Sequence, residues 1–425
     1  MPFPRPVPAK VRPTYLRLLA YSMFRAPALA MLGDLAALIA VKSLSAPAWE
    51  VAVLTAAAPL GNLLAVFWSR PIATAPRVIP FAFWPEAGTS VLLIAMMFAG
   101  TSHTFTIGLC LYLLLRAPLL QAQSAIYRAN FPARWRSWLV ARVTALSEIL
   151  IAASGLVFGY LLELSPGNYR GLLALAGACG LLGAYQVARI RVQGEAQAKP
   201  AVALGDFSWD RILGVLRKDH RFRRYEFSFS IFGFANIMTL PILPLFLKKE
   251  LGISYENAGL ILVTMPMMID VLLLPLWGRL LDRHNPLLMR AIFNLIFAGG
   301  MLFYPLAHSL WTFAAGRAIV ALVQGGSGLV WTLGINYFAR RADVPVYMGL
   351  HQSLTGIRGL VAPFAGIALA ALFDSYRLVF FVAFLLMVFG TLIMIGEVVR
   401  ERRRAGGRLP SFAQAERETD TRFSA

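Results

Sequence analysis

Charge is what this sequence has least of. Only 14% of its 425 residues are Asp, Glu, Lys or Arg, and 58% are hydrophobic. A soluble domain carries about a quarter charged residues, so a soluble enzyme and a disordered chain are both excluded. Acidic residues are the scarcer kind, 21 against 40 Lys and Arg, for a net charge of +19. In a soluble protein that excess would suggest nucleic acid. In a membrane protein, basic residues collect in loops for topological reasons, and no nucleic-acid partner is expected. The two cysteines, Cys110 and Cys179, lie in apolar stretches. They read as packing residues, not as a disulfide or metal pair. The sequence has no G-x-x-x-x-G-K-[ST] phosphate loop, paired-histidine metal motif or nucleophile elbow. The expectation is a protein that is not an enzyme, with no cofactor and no metal.

Long apolar runs are abundant and continuous, which argues for helices and against a membrane barrel, whose strands alternate. The fold class expected is an all-α membrane protein. Twelve transmembrane helices are expected, at 17–41, 50–69, 78–100, 105–126, 143–162, 171–189, 226–247, 257–277, 290–306, 311–338, 350–372 and 378–398. The N-terminal stretch MPFPRPVPAKVRPTY is basic and proline-rich, without the apolar core of a signal peptide, and reads as a tail. Of the forty Lys and Arg, 31 fall in the tails and even-numbered loops. Five (Lys42, Arg170, Lys248, Lys249, Arg377) fall in odd-numbered loops and four (Arg25, Arg116, Arg317, Arg358) within spans. That bias puts both termini in the cytoplasm. The location expected is the plasma membrane, the inner membrane in a bacterium.

A weak repeat supports a division into halves. At an offset of about 209, Trp68 falls on Trp277, Arg70 on Arg279, Trp138 on Tyr347 and Arg142 on His351; one residue further on, Tyr127 meets Tyr337. Two parallel six-span halves make a transporter architecture. The expected layout is a cytoplasmic tail at 1–16, a six-helix bundle at 17–190, a linker at 191–225, a second bundle at 226–398 and a tail at 399–425. In the linker, Trp209, Ile212, Leu213 and Leu216 share one helical face, as in a helix lying on the membrane surface.

The charged turn Trp277–Arg290, WGRLLDRHNPLLMR, follows span eight, with Asn285-Pro286 to stop the helix. Together with twelve spans, a duplication, cytoplasmic termini and a long central loop, it resembles the major facilitator superfamily. That family has a G-x-x-x-D-R-x-G-R-[RK] loop between spans two and three, often echoed between spans eight and nine. The echo here keeps Gly278, Asp282 and Arg283, with Asn285 in place of the second glycine. The first-half copy, FWSRPIATAPR, has no acid, with Thr74 near its place. The resemblance implies that Asp282 latches the two halves in one state of the cycle, with Gly278 allowing close helix approach. Arg340, Arg341 or the start of span eleven are its candidate partners.

Charged residues inside spans are costly and mark function. Asp34, Glu86, Glu148, Asp270, Arg25, Arg116, Arg317, His351 and Arg358 all fall in or near spans. Asp34 and Asp270 admit three roles: proton carrier, partner of an arginine, or rim residue. Arg116 sits mid-span, where the resemblance implies a proton-coupling arginine in an R-x-x-x-G pattern, though Leu120 replaces the glycine. The proton-coupling candidates are thus Asp34, Asp270 and Arg116. Glu148 is expected to pair with Arg142. Arg317 is followed by small residues in GRAIVALVQGGSG, which allow tight packing. His351 and Arg358 share a face of span eleven, near Gln352 and Thr355. His351 could titrate or serve as a hydrogen-bonded residue; Arg358 could bind an anion or balance Asp34 or Asp270. Arg25, Arg317, His351, Gln352 and Arg358 are the substrate-binding candidates, with Trp331, Tyr337, Phe232 and Phe234 as aromatic ones.

The expected function is secondary active transport of a small molecule, coupled to protons, in a monomer set in the lipid bilayer. The in-span arginines favour an anionic or amphipathic substrate. One alternative is a drug or metabolite efflux antiporter, which the absence of proline from span five weakens. Another is a membrane sensor or assembly protein with a transporter fold.

Overall fold

The computed structural model describes residue 7 and residues 11–193, 209–339, 343–407 and 409–411, and every regular element among them is a helix. In chain order these are α1 (Arg12–Met31), α2 (Asp34–Lys42), α3 (Ala48–Thr74), α4 (Ile79–Ala95), α5 (Ser102–Leu115), α6 (Ala117–Asn130), α7 (Ala133–Leu164) and α8 (Tyr169–Ala188). They continue as α9 (Trp209–Lys218), α10 (His220–Thr239), α11 (Ile242–Lys249), α12 (Tyr255–Ala258), α13 (Met265–Arg283), α14 (Pro286–Leu302), α15 (Leu310–Leu333), α16 (Val344–Phe373) and α17 (Tyr376–Arg404). A π-helical turn, Gly259–Thr264, joins α12 to α13. Ten of the resulting helical runs are long and apolar enough to cross a membrane, which makes this an integral membrane protein. The other two expected spans are also helical, with shorter apolar stretches at Ala48–Gly61 and Pro286–Leu302.

Several spans are broken where the sequence read as continuous. Gly33, with φ +85°, separates α1 from α2, a conformation that glycine adopts without steric cost. Pro118 opens α6 and leaves Arg116 as the joint between α5 and α6. Pro241 divides α10 from α11, since proline has no N–H to continue the helix. The breaks in the first and seventh spans lie at nearly the offset of the sequence repeat. So do two N-caps: Thr101 caps α5 through the Thr104 amide, and Ser309 caps α15 through the Thr312 amide.

The chain divides into two compact units. One comprises Met1–Ala46, Leu64–Gly205 and Ser254–Thr264; the other comprises Pro47–Leu63, Asp206–Ile253 and Met265–Ala425. In the first unit the turn Gly259–Thr264 packs on α7. A Cβ on Gly155 would strike Val263, and one on Gly159 would strike the Tyr255 carbonyl. The Gly155-x-x-x-Gly159 spacing therefore lets two backbones meet. Thr264 Oγ1 donates to the Ala152 carbonyl at 2.8 Å, and Glu163 accepts from the Tyr255 amide at 2.6 Å. In the second unit, α3 packs on α16 where Gly356 faces Leu63 and Gly359 faces Pro59.

At its basic end the second unit is bound by polar side chains. Arg221 pairs with Glu401 at 2.5 Å, Arg224 with Glu397 at 2.8 Å, and Tyr347 donates to Asp219 at 3.0 Å. Asp219 also caps α10. The linker helix forms as α9, but Val215 and Leu216 pack on a cluster containing Phe222 and Leu350. Leu216 was expected to face the membrane surface; burial against the protein removes that apolar area from water instead. Residues 194–208, the pair Arg340 and Arg341, and residues 412–425 lie outside the described residues.

Filling the contact between α7 and the π-helical turn should be disruptive. Gly159→Leu is expected to destabilise by about 1–3 kcal/mol, read as a lowered Tm in detergent, whereas Gly171→Leu, with open space at its Cα, should leave Tm nearly unchanged.

Candidate functional site

Each unit buries a chain of ionisable groups within its own helices. In the first, Tyr21 of α1 is the hub. Its hydroxyl donates to Glu86 of α4 at 2.9 Å, and accepts from Arg25 at 2.8 Å and from Gln123 of α6 at 3.0 Å. Glu86 and Tyr21 are both buried. The tyrosine thus relays between a guanidinium and a carboxylate that lie on different helices. Arg116, at the α5–α6 joint, reaches the Tyr112 hydroxyl at 3.3 Å and lies over that ring. Asp34 is half-buried in the first turn of α2, where a helix N-terminus favours negative charge.

In the second unit, His351 Nδ1 lies 2.7 Å from Glu226 Oε1, with both side chains buried. The ring of His351 packs between Phe229 and Trp331, with centroids at 4.7 and 5.3 Å. About two turns along α16, Arg358 donates to the Phe229 carbonyl at 3.0 Å and to Thr355 at 3.2 Å. Its guanidinium fills the space left by Gly233, where a Cβ would collide with it. Arg290 of α14 lies over the same Phe229 ring at 4.3 Å, and Arg358 lies over it at 4.6 Å. Separately, Asp270 Oδ1 accepts from the Gly325 amide at 2.9 Å, and Arg317 is within electrostatic reach of it. A Cβ on Gly325 would meet that carboxylate, so the small residues after Arg317 do allow close packing.

The structure thus brings together His351 and Arg358 as expected from their shared face, while Gln352 is half-buried beside them in sequence. Arg25 joins Glu86, whose role the sequence left open. Four expectations change. Of the two readings of Arg358, anion binding or balance with Asp34 or Asp270, the second changes, since the acid within its electrostatic reach is Glu226. Arg142 was to pair with Glu148; it stacks on Trp138 at 4.1 Å and has no carboxylate partner among the described residues. Arg290 was counted as a loop residue; it is 5% exposed. Gly278 was to allow close approach, yet a Cβ there would meet nothing within 4 Å. Asp282 and Arg283 are exposed, and Asp282 has no hydrogen-bond or ion-pair partner among the described residues.

Sequence reasoning missed Glu226, Arg290, Asn294, Tyr21 and Tyr225. Glu226 follows the basic run HRFRRY and reads as the end of a loop. Arg290 and Asn294 carried a usable signal: they are four apart in LLMRAIFNLIF, hence on one face of an otherwise apolar helix.

The profile of the family described as the Major Facilitator Superfamily matches residues 226–419. That stretch, a little under half of the chain, is similar to the major facilitator superfamily. Its structure is similar to that of a variant of the nucleoside transporter NupG, with a TM-score of 0.69 at 10% identity, covering 91% of this chain and 99% of that one. It is also similar to a POT family transporter in complex with a thioalcohol-conjugated peptide, with a TM-score of 0.69 at 9% identity, covering 91% of this chain and 95% of the other. A third is a bacterial homolog of the human lysosomal transporter Spinster in an inward-facing, occupied conformation, with a TM-score of 0.64 at 12% identity, covering 92% and 97%. No curated protein matches the sequence. At these identities the likeness speaks for the fold alone: the described helices are arranged like those of these transporters.

The buried Glu226–His351 pair should act as a unit. His351→Ala removes the hydrogen-bond partner of the buried Glu226 Oε1 and should destabilise by about 1–3 kcal/mol. The double variant Glu226→Gln, His351→Ala should recover part of that loss, read by thermal unfolding in detergent.

Proposed function

We propose that this protein is a secondary active transporter that moves a small, anionic or amphipathic solute by alternating access, coupled to protons. In this reading its twelve spans form two six-helix bundles, 17–190 and 226–398, with both termini in the cytoplasm of a plasma or bacterial inner membrane. The observation that carries it is the burial of acid–base chains inside apolar helices, Glu86–Tyr21–Arg25 in one unit and Glu226–His351 in the other. Ionisable groups in membrane helices cost about 2.5–3.5 kcal/mol each, and proton and substrate pathways are what they commonly serve. Asp34, Asp270 and Arg116 are assigned to coupling. Arg25, Arg317, His351, Gln352 and Arg358 are assigned to the solute, and Asp282 and Arg283 to a latch. Asp270 suits a coupling role because its carboxylate is held by one amide, with Arg317 in reach. Losing or gaining a proton there changes the charge facing that arginine.

Purified protein in vesicles with an imposed pH gradient provides the test, with uptake of labelled monocarboxylates and other anions as the readout. Uptake should follow the gradient, and Asp270→Asn and Asp34→Asn should each lower it by about tenfold or more. Uptake indifferent to the gradient would sink proton coupling. If both variants keep gradient-driven uptake, the coupling residues are misassigned. If no solute moves under any gradient, a sensor or assembly role replaces transport.

A further inference from the structure

Arg290 is held in an unusual state. It is 5% exposed, and its guanidinium has no hydrogen bond or ion pair with any described residue. Its contacts are the rings of Phe229 and Phe232, at 4.3 and 5.6 Å. One turn along α14, Asn294 is 1% exposed, and neither its amide nitrogen nor its amide oxygen has a protein partner. A spacing of four residues puts the two on one helix face. Arg358, on α16, shares the Phe229 ring with Arg290 and has its own Nε unpartnered. Gly233 makes the room in which that guanidinium sits. Two like charges are therefore set close together inside an apolar bundle. Glu226 is the carboxylate within electrostatic reach of both; its Oε1 is engaged by His351, and its Oε2 hydrogen-bonds neither guanidinium.

Arg290, Arg358 and Glu226 together carry one net positive charge. A buried charge without compensation is strongly unfavourable, and a polar group without a partner adds its own desolvation cost. A single oxyanion would relieve both. We propose that Arg290, Asn294 and Arg358 form a subsite for the carboxylate of a monoanionic organic acid, whose apolar part lies against Phe229, Phe232 and Trp331. Guanidinium groups match a carboxylate through parallel N–H donors, and the Asn294 amide nitrogen supplies a further donor. The single net charge favours a monoanion over a phosphate dianion, which would leave the cluster negative. The subsite deepens the transport reading by naming the cargo's chemical class, but binding at it does not require that reading.

The test is thermal unfolding of the full chain in detergent at neutral pH, with benzoate, benzamide and inorganic phosphate at about 10 mM as probes. Benzoate should raise Tm by about 2–5 °C, while its uncharged isostere benzamide and phosphate should leave Tm unchanged. Arg290→Met keeps the volume and removes the charge, so it should raise Tm without ligand and abolish the benzoate response. Asn294→Ala, a milder change, should weaken benzoate by about tenfold and keeps the proposal testable if Arg290→Met fails to fold. A benzoate response no larger than that of benzamide, or one that persists in both variants, overturns the subsite. Stabilisation by phosphate without benzoate overturns the carboxylate assignment. Benzoate binding without gradient-driven uptake would leave the subsite standing and sink the transport reading; gradient-driven uptake without a benzoate response would do the reverse.

Discussion

The arrangement of the second unit depends on how charge is compensated inside apolar helices. Glu226 lies on α10, His351 and Arg358 on α16 and Arg290 on α14. None of these can be solvated where it sits, so each must find its stabilisation on a neighbouring helix. The 2.7 Å His351–Glu226 contact ties α16 to α10, and Arg358 reinforces it by donating to the Phe229 carbonyl. Arg290 is joined to them through one shared aromatic ring. Cation–π contact is worth about 2 kcal/mol or more when desolvated, less than a full ion pair in the same place. That shortfall sets this cluster apart from its counterpart in the first unit. There Arg25 and Glu86 balance one another through Tyr21, and no net charge remains.

Backbone breaks place the other charged groups. Asp34 follows Gly33 at the start of α2, and Arg116 stands between α5 and α6 because Pro118 cannot continue the helix. A carboxylate in the first turn of a helix interacts favourably with the amides that point at it. Asp270 does without a helix end. It borrows one amide from the middle of α15 at Gly325, where the missing side chain leaves room for its carboxylate. At Gly325, glycine thus lets a backbone donor meet a carboxylate among apolar helices, where an ionised side chain needs one.

Much of the fold was legible because lipid imposes long, continuous apolar runs. All twelve expected spans are helical, and the shared positions of breaks and caps agree with the repeat that a few aromatic and basic residues suggested. The breaks themselves were harder to read. Gly33 and Pro241 are single residues in runs whose hydropathy never falters. Within the sites, the face shared by His351 and Arg358 was visible from their spacing, since helical periodicity is local. Their partner Glu226 was not, because pairing across 125 residues leaves no local trace. Arg290 was misplaced for a related reason: a basic residue near a turn follows the loop bias, and only packing reveals that its side chain turns inward onto Phe229.

The charged turn after α13 illustrates how a motif and a structural anchor can occupy the same few residues. Asp282 and Arg283 are exposed, and exposed charges of this kind contribute at most about 1 kcal/mol. Asn285, which read as a helix stop, is 2% exposed and uses its whole amide. Its oxygen caps α14 at the Leu287 amide at 2.9 Å, and its nitrogen donates to Tyr337 at 3.1 Å and to the Pro410 carbonyl at 3.0 Å. Tyr337 passes the connection to Glu401, which also holds Arg221. One side chain thereby joins the start of α14, the end of the α15 run, the end of α17 and the segment beyond it. A cap in this position fixes where α14 begins, and the start of α14 fixes the register at which Arg290 and Asn294 meet Phe229. The buried polar residue of the turn and the charge just over one turn further along α14 therefore belong to a single mechanical unit, in which displacing the first would displace the second.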